Sequence, residues 1–306
     1  MGMGRELGTT PPTIVTAAGP CPAFEVLEPM RQTSPLVFCS PHSGRAYPAS
    51  FLSQTCLDDA SVRRSEDLFV DRLFEFVPAL GAPMIVARFP RAYLDVNREP
   101  YELDPQMFDG PLPPYANSAS VRVAGGLGTI PRIVAEKQEI YAAPLDRTEA
   151  LSRIETIYHP FHRTLSALVE RTQAAFGFAL LIDCHSMPST VRAVPGGRRP
   201  DVIVGDRFGT SAAGRFVAMA AARLSVLGWN VVRNKPYAGG FITERYGRPH
   251  RGVHAIQIEL NRGLYADEER LVPHRGFDMV QASLRDFVAL FGAEIEAEMG
   301  RPAAAE

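Results

Sequence analysis

Two apolar segments that each end beside a histidine constrain this chain more than any other feature of its sequence. The run at 179–182 leads directly into Asp183 and His185, and the run at 36–38 leads to His42. Short apolar runs bounded by turn residues predict buried strands, and α/β enzymes carry their chemistry at strand ends. A single histidine in such a place is more often structural. Two histidines at the ends of two strands predict a metal site instead.

Composition excludes several classes of protein. The 306 residues are 46% hydrophobic and 22% charged, which suits the core of one large α/β domain. The net charge of -2 gives no field that would attract nucleic acid or an anionic membrane. No apolar run approaches the roughly 20 residues of a membrane span, and four cysteines lack the spacing of a structural zinc cluster. We therefore expect a cytoplasmic protein that acts on a small molecule.

Strand and helix signals alternate along the chain. The strand candidates are 36–39, 84–87, 179–183, 201–204, 230–232 and 255–260, and the helix candidates are 68–80, 147–176, 211–227 and 277–299. This alternation predicts an α/β fold, a three-layer αβα arrangement with a mostly parallel or mixed sheet. We expect a flexible tail over 1–20 and a single catalytic domain over 21–300. Residues 105–131, rich in Pro and Gly, are a lid or a disordered loop.

A zinc hydrolase needs a third protein ligand beside His42 and His185, and the usual one is a carboxylate. Glu66 and Asp67 form an acidic pair downstream of His42, directly before the helix predicted over 68–80. Their alternative role is to begin the predicted helix, where acidic residues complement the helix dipole. Adjacent side chains diverge in direction, so we expect only one of the two to be a ligand.

Polar residues near the predicted strand ends add candidate roles. Asp183, two residues before His185, can fix an imidazole by a hydrogen bond or can be an ordinary strand-end residue. Glu259 lies on the polar face of the last predicted strand, where it is a general base or a half-exposed polar residue. Ser43 follows His42 without a nucleophile-elbow motif, so we expect it to be a hydrogen-bond donor.

Arginine at two loops suits the recognition of substrate carboxylates. Arg98 follows Asn97, and Arg245 lies soon after the glycine pair at 239–240. The planar guanidinium matches both oxygens of a carboxylate, and an amide donor beside it adds a further contact. In a chain this rich in arginine, the alternative is an ordinary surface arginine.

Eight separated motifs, in order across roughly residues 36–290, resemble the N-formylglutamate amidohydrolase family. They include Ser40-Pro41-His42-Ser43-Gly44, Asp95-Val96-Asn97-Arg98, Asp183-Cys184-His185-Ser186 and Gln257-Ile258-Glu259. The resemblance implies a zinc-peptidase-like fold related to the metallocarboxypeptidases and aspartoacylases. It implies hydrolysis of N-formyl-L-glutamate to formate and glutamate, the last step of one histidine-degradation route.

The resemblance also assigns residues. It places one zinc ion at His42, Asp67 and His185 and makes Glu259 the general base. This chain departs from the metallocarboxypeptidases, because Arg45 stands where their HxxE motif has its glutamate. Two rivals stay open: a zinc hydrolase of another N-acyl amino acid, like an aspartoacylase or carboxypeptidase, and a non-catalytic carboxylate-binding relative.

Overall fold

The computed structural model describes residues 10–135, 138–193 and 197–299. These separate into two compact units. One consists of the described residues of Met1–Glu25, Pro41–Glu66 and Ile85–Ala167, and the other of those of Val26–Ser40, Asp67–Met84 and Leu168–Glu306. The assignment of 21–300 to a single catalytic domain stays a prediction.

The strands of the described residues are two to nine residues long. In chain order they are β1 (Thr13–Thr16), β2 (Gly19–Pro22), β3 (Phe24–Leu27), β4 (Leu36–Ser40), β5 (Met84–Ala87), β6 (Ile133–Ala135), β7 (Gln138–Glu139), β8 (Ala179–Met187), β9 (Val202–Gly205), β10 (Val231–Arg233), β11 (Val253–Asn261), β12 (Ala266–Asp267) and β13 (Val272–Pro273). All nine residues of β8 and all nine of β11 are buried. Continuous burial of this kind is typical of central strands that are covered on both faces.

The main sheet of the described residues has the strand order β10-β9-β11-β8-β4-β5-β3. Strands β4 and β11 both run parallel to β8, and β10 runs parallel to β9. Strand β9 is antiparallel to β11. The sheet is therefore mixed, which confirms the predicted α/β class.

The α-helices range from single turns to 23 residues. In chain order they are α1 (Ala49–Leu52), α2 (Asp59–Val62), α3 (Val70–Leu73), α4 (Val121–Ala124), α5 (Arg147–Arg153), α6 (His159–Phe176), α7 (Gly214–Val226), α8 (Phe241–Tyr246) and α9 (Phe277–Met299). A π-helical turn, Ile154–Tyr158, joins α5 to α6. No helix of the described residues is long and apolar enough to span a membrane.

Helices cover both faces of β11. Side chains alternate along a strand, so Gln257 and Glu259 lie on one face and His254 lies on the other. The ring of Phe216, in α7, packs edge-on against His254 at 4.7 Å between centroids. On the opposite face, the backbone N–H of Gly240, directly before α8, donates to the Gln257 side chain. Gln257 therefore contacts the start of α8.

Two predictions of local structure need correction. A helix over 68–80 is wrong, because the structure has only the single turn α3 and a 3-10 turn, Val77–Leu80. The residue before α3, Phe69, is in the left-handed region at φ 59, and no side chain caps the helix there. The tail predicted over 1–20 omits the β1–β2 hairpin, which pairs Thr13 with Pro22. Residues 1–9 lie outside the described residues.

Candidate metal centre

Strand β8 carries His185 near its end, between two carboxylates. His185 Nδ1 lies 2.8 Å from Asp67 Oδ2, and Nε2 lies 2.9 Å from Asp183 Oδ2. Burial disfavours a charged imidazole, but the carboxylates of Asp183 and Asp67 outweigh it and raise the pKa of His185 well above its ordinary value. Two buried carboxylates on one imidazole make a place that favours positive charge, which a proton or a bound cation can supply.

His42 follows β4 and is buried beside a second carboxylate. Its Nε2 lies 2.7 Å from Asp95 Oδ1. Asp95 also accepts from the Asn97 backbone N–H at 2.8 Å and from Arg91 Nε at 2.9 Å. Although burial alone would raise it, the charges of Arg91, Arg98 and His42 hold the pKa of the Asp95 carboxyl well below its ordinary value. Asp95 is therefore a fixed anion that orients the His42 ring.

Three buried residues together have the donor set of a metal site. One ligand atom from each of His42, Asp67 and His185 lies within 4.8 Å of the other two. Two imidazole nitrogens and one carboxylate oxygen are the protein ligands of many catalytic zinc sites, which keep a further position open. Each imidazole has a carboxylate near its Nε2, an arrangement that fixes a metal-binding histidine with Nδ1 as the ligand atom. The group fits a divalent metal ion.

Glu66 faces different partners from its neighbour Asp67. The Glu66 carboxylate accepts from Tyr47 Oη at 2.7 Å and from Arg63 Nε and Nη2 at 2.9 and 3.1 Å. Asp67 instead approaches His185 and joins the metal-binding group. Of the two acidic residues, the structure brings Asp67 to the histidines.

Arg262 and Ser186 support Asp67, and neither was expected to do so from the sequence. Arg262 Nε donates to Ser186 Oγ at 3.0 Å, and Arg262 Nη2 lies 3.4 Å from Asp67 Oδ1. Ser186 Oγ lies 3.4 Å from the same oxygen. Their positions in the sequence could have indicated this role, because Arg262 comes directly after β11 and Ser186 lies in the neighbouring strand β8. Their donors offset part of the charge of Asp67 and hold its orientation.

Glu259 lies beside His185 in the sheet. The register of β11 and β8 pairs Glu259 with His185 and Gln257 with Asp183. Gln257 Nε2 donates to Glu259 Oε1 at 2.7 Å, and both side chains are buried. A buried carboxylate one strand away from a candidate metal ligand, on the same face, is a candidate general base.

The proposed carboxylate-binding residues differ in their surroundings. Arg98 is buried, and its Nε and Nη1 each donate at 2.8 Å to a backbone carbonyl, of Leu127 and Asn97 respectively. Burial, together with nearby arginines, lowers the pKa of Arg98 to about 10 despite the opposing charge of Asp95. Ser43 and Asn97 are buried as well. Arg245 is exposed. Two of the three Arg98 nitrogens therefore hold the backbone in place.

Comparison with known proteins identifies the family. The family model for N-formylglutamate amidohydrolase matches residues 34–266. The N-formylglutamate deformylase of Pseudomonas aeruginosa is 32% identical over 266 residues, which cover 85% of this chain and 92% of that protein. The crystal structure of N-formylglutamate amidohydrolase from Ralstonia eutropha JMP134 aligns with a TM-score of 0.84 and 32% identity, and covers 90% of this chain and 99% of that one. This chain is a member of the N-formylglutamate amidohydrolase family.

Proposed function

We propose that this protein hydrolyses the formyl amide of N-formyl-L-glutamate to formate and L-glutamate in a metal-dependent reaction. The observation that carries the proposal is the buried group His42, Asp67 and His185, with its ligand atoms within 4.8 Å of one another. Relatives named N-formylglutamate deformylase in Pseudomonas aeruginosa and Pseudomonas putida support the choice of substrate.

His42, Asp67 and His185 would hold the metal ion. When bound, a divalent metal such as zinc supplies a Lewis acid that polarises the formyl carbonyl. Asp95 and Asp183 keep the two imidazoles in the orientation that presents Nδ1. Arg262 and Ser186 keep the Asp67 carboxylate from rotating.

Glu259 would move the proton. In the hydrolysis, water attacks the formyl carbon, the C–N bond breaks, and the glutamate nitrogen gains a proton. Glu259 takes a proton from the attacking water and delivers it to that nitrogen.

Asn97, Arg98, Ser43 and Arg245 stay our candidates for holding the substrate carboxylates. Because Nε and one N–H of Nη1 of Arg98 donate to backbone carbonyls, its contact with a carboxylate would use Nη2 and the second N–H of Nη1. The formyl group is small, so most of the discrimination between substrates must come from these charged contacts.

Four finer assignments belong to the same proposal. Zinc, one ion per chain, is the metal that the His-Asp-His donor set suits. The reaction would be the last step of a histidine-degradation route in the cytoplasm. The partner is a small molecule, and a net charge of -2 argues against nucleic acid.

The test is formate release by the purified protein from three compounds: N-formyl-L-glutamate, N-formyl-L-glutamine and N-acetyl-L-glutamate. We expect turnover of the first alone to be fast, and loss of both bound metal and activity in His42→Ala and His185→Ala. Elemental analysis before and after chelation reports the metal. Full activity of a metal-free preparation would refute the metal-dependent reaction, and preferred turnover of the acetyl compound would favour the aspartoacylase-like rival.

A further inference from the structure

Two hydrogen bonds link three groups in one direction, from the Gly240 backbone through the Gln257 amide to the Glu259 carboxylate. The Gly240 backbone N–H donates to Gln257 Oε1 at 2.9 Å, and Gln257 Nε2 donates to Glu259 Oε1 at 2.7 Å. Gln257 is 4% exposed and Glu259 is 7% exposed. A backbone N–H can only donate, so the oxygen of the Gln257 amide must face Gly240 and the nitrogen must face Glu259. The direction of the chain follows from this chemistry.

The turn that supplies the Gly240 amide is held by packing. Gly239 has φ +123, and a Cβ at that position would lie 2.5 Å from Thr243 Oγ1. The Thr243 hydroxyl donates to the Gly240 carbonyl at 2.8 Å. A Cβ on Gly205 would lie 2.7 Å from the Ala238 backbone, next to the same turn. Gly205 therefore lets the turn approach β9 closely, and Gly239 lets the turn pack against Thr243, so the direction of the Gly240 N–H is restrained.

The strand register places these hydrogen-bonded residues beside the candidate metal centre. Gln257 pairs with Asp183, and Glu259 pairs with His185. In β8, Asp183 contacts the imidazole of His185, two residues later. In β11, Gln257 likewise contacts Glu259, two residues later. By this analogy, Gln257 would orient Glu259 as Asp183 orients His185.

We propose that Gln257, itself fixed by the Gly240 amide, is a positioning residue that orients the Glu259 carboxylate for proton transfer. This inference rests on the proposed function. Donation to Oε1 restrains the plane of the carboxylate, which is the group proposed to take a proton from water. Loss of this donor removes one restraint on the plane of the carboxylate, so we expect proton transfer to slow while substrate binding is preserved.

The experiment is a double-mutant cycle. Gln257→Met keeps the side-chain volume and removes the amide, and Gln257→Leu is a second variant in case the first does not fold. Each is made in the unmodified protein and in the Glu259→Gln protein. We expect kcat to fall about tenfold in the unmodified background with KM within about twofold, a loss in the range seen when supporting residues are removed. In the Glu259→Gln background we expect no further loss, because residues that act as a unit are not additive.

The matched control is Gln32→Met, since the amide of Gln32 donates to Thr172 Oγ1 at 2.7 Å at another place in the same compact unit. Its turnover should equal that of the unmodified protein. Metal content and Tm, measured on every variant, separate a lost site from a lost fold.

Two results would overturn the inference. Unchanged turnover in Gln257→Met would show that the amide does not act on the base, and an equal loss in both backgrounds would show a general structural role. If Glu259→Gln itself left turnover unchanged, Glu259 would not be the base, and this inference would fail together with the role assigned to Glu259, while the proposed hydrolysis would stand. If Glu259→Gln lowered turnover as expected and Gln257→Met had no effect, this inference alone would be refuted.

Discussion

Each histidine of the candidate metal centre has a carboxylate near its Nε2, and the effect of removing that carboxylate on metal affinity can be measured. Asp95 lies 2.7 Å from His42, and Asp183 lies 2.9 Å from His185. We expect Asp95→Asn and Asp183→Asn to lower metal affinity by about 10- to 100-fold, because an amide orients an imidazole less strongly than a carboxylate does. Competition with a chelator of known affinity measures this. Asp58→Asn, in an exposed helix cap, is the control.

The ligand assignment between two adjacent acids gives a second prediction. Asp67→Ala should lose the metal, since it removes one of three ligands. Glu66→Ala should keep the metal and lose stability, because Tyr47 and Arg63 lose a buried partner. Elemental analysis and thermal unfolding of both variants decide the matter. Metal retained in Asp67→Ala and lost in Glu66→Ala would move the ligand by one residue.

Arg98 has two separable roles. Arg98→Lys should leave one or both of the carbonyls of Leu127 and Asn97 without their donor, at a cost of about 1–3 kcal/mol of unfolding free energy. If Nη2 also binds substrate, kcat/KM should fall by roughly tenfold. Thermal unfolding and steady-state kinetics measure the two effects. Arg147→Lys, at a half-buried arginine that donates to the Pro111 carbonyl, is the control. A normal kcat/KM with lower stability would leave Arg98 a purely structural residue.

Much of the site could be predicted from residues that follow strands. Strand-end position indicates His42 and His185, and the resemblance to the family adds Asp67. Asp95 was not predicted as the partner of His42, because 53 residues separate the two and spacing along the chain carries no information about that pairing. Arg262 was missed for the same reason, since it reaches Asp67 from 195 residues away.

At the scale of elements, buried strands were predictable because they combine β-branched residues with clear turn boundaries. The strand Met84–Ala87 and the helix Phe277–Met299 have the predicted bounds. The helix predicted over 68–80 was wrong, although its apolar residues are buried as a helix face would be. Phe74 packs on Phe38, at 6.0 Å between ring centroids. The chain makes this tertiary contact with two short turns and not with one continuous helix.

The contact of β11 with α7 gives a prediction about pH. Burial and the nearby charge of Arg215 lower the pKa of His254 to about 4, whereas an unfolded chain keeps a value of about 6.5. In this window the unfolded chain binds a proton that the folded chain does not, so stability falls as the pH falls from about 6.5 to about 4. The drop in Tm over this range should be smaller in His254→Gln. The control is His250→Gln, at an exposed histidine. An equal drop in His254→Gln would mean that His254 does not contribute.

At the scale of the whole molecule, a metal ion that binds only the folded chain stabilises it. A free metal concentration about a thousandfold above Kd adds about 4 kcal/mol to the unfolding free energy. We expect chelation to lower the Tm of the protein and added zinc to restore it. His185→Ala should show neither effect. A Tm that is insensitive to both chelator and zinc would argue that this group binds no metal.

The whole fold was predictable in class but not in connection. Alternating strand and helix signals indicate an α/β sheet, and the structure has one. That β9 runs against β11 could not be predicted, since pattern gives strand positions and not their directions. The β1–β2 hairpin was missed because its residues are half-exposed and carry weak apolar alternation.

The separation of the ligands along the chain determines when the metal centre can form during synthesis. Asp67 precedes His185 by 118 residues, and β4 and β8, the strands that lead to His42 and His185, pair across an even longer interval. While the ribosome is still adding the middle of the chain, the early histidine and aspartate have been made without a partner strand to bring them together. Closing such long loops is slow and entropically costly. The centre is therefore a late product of folding, and a chain truncated before β8 would contain two of its ligands without being able to assemble it.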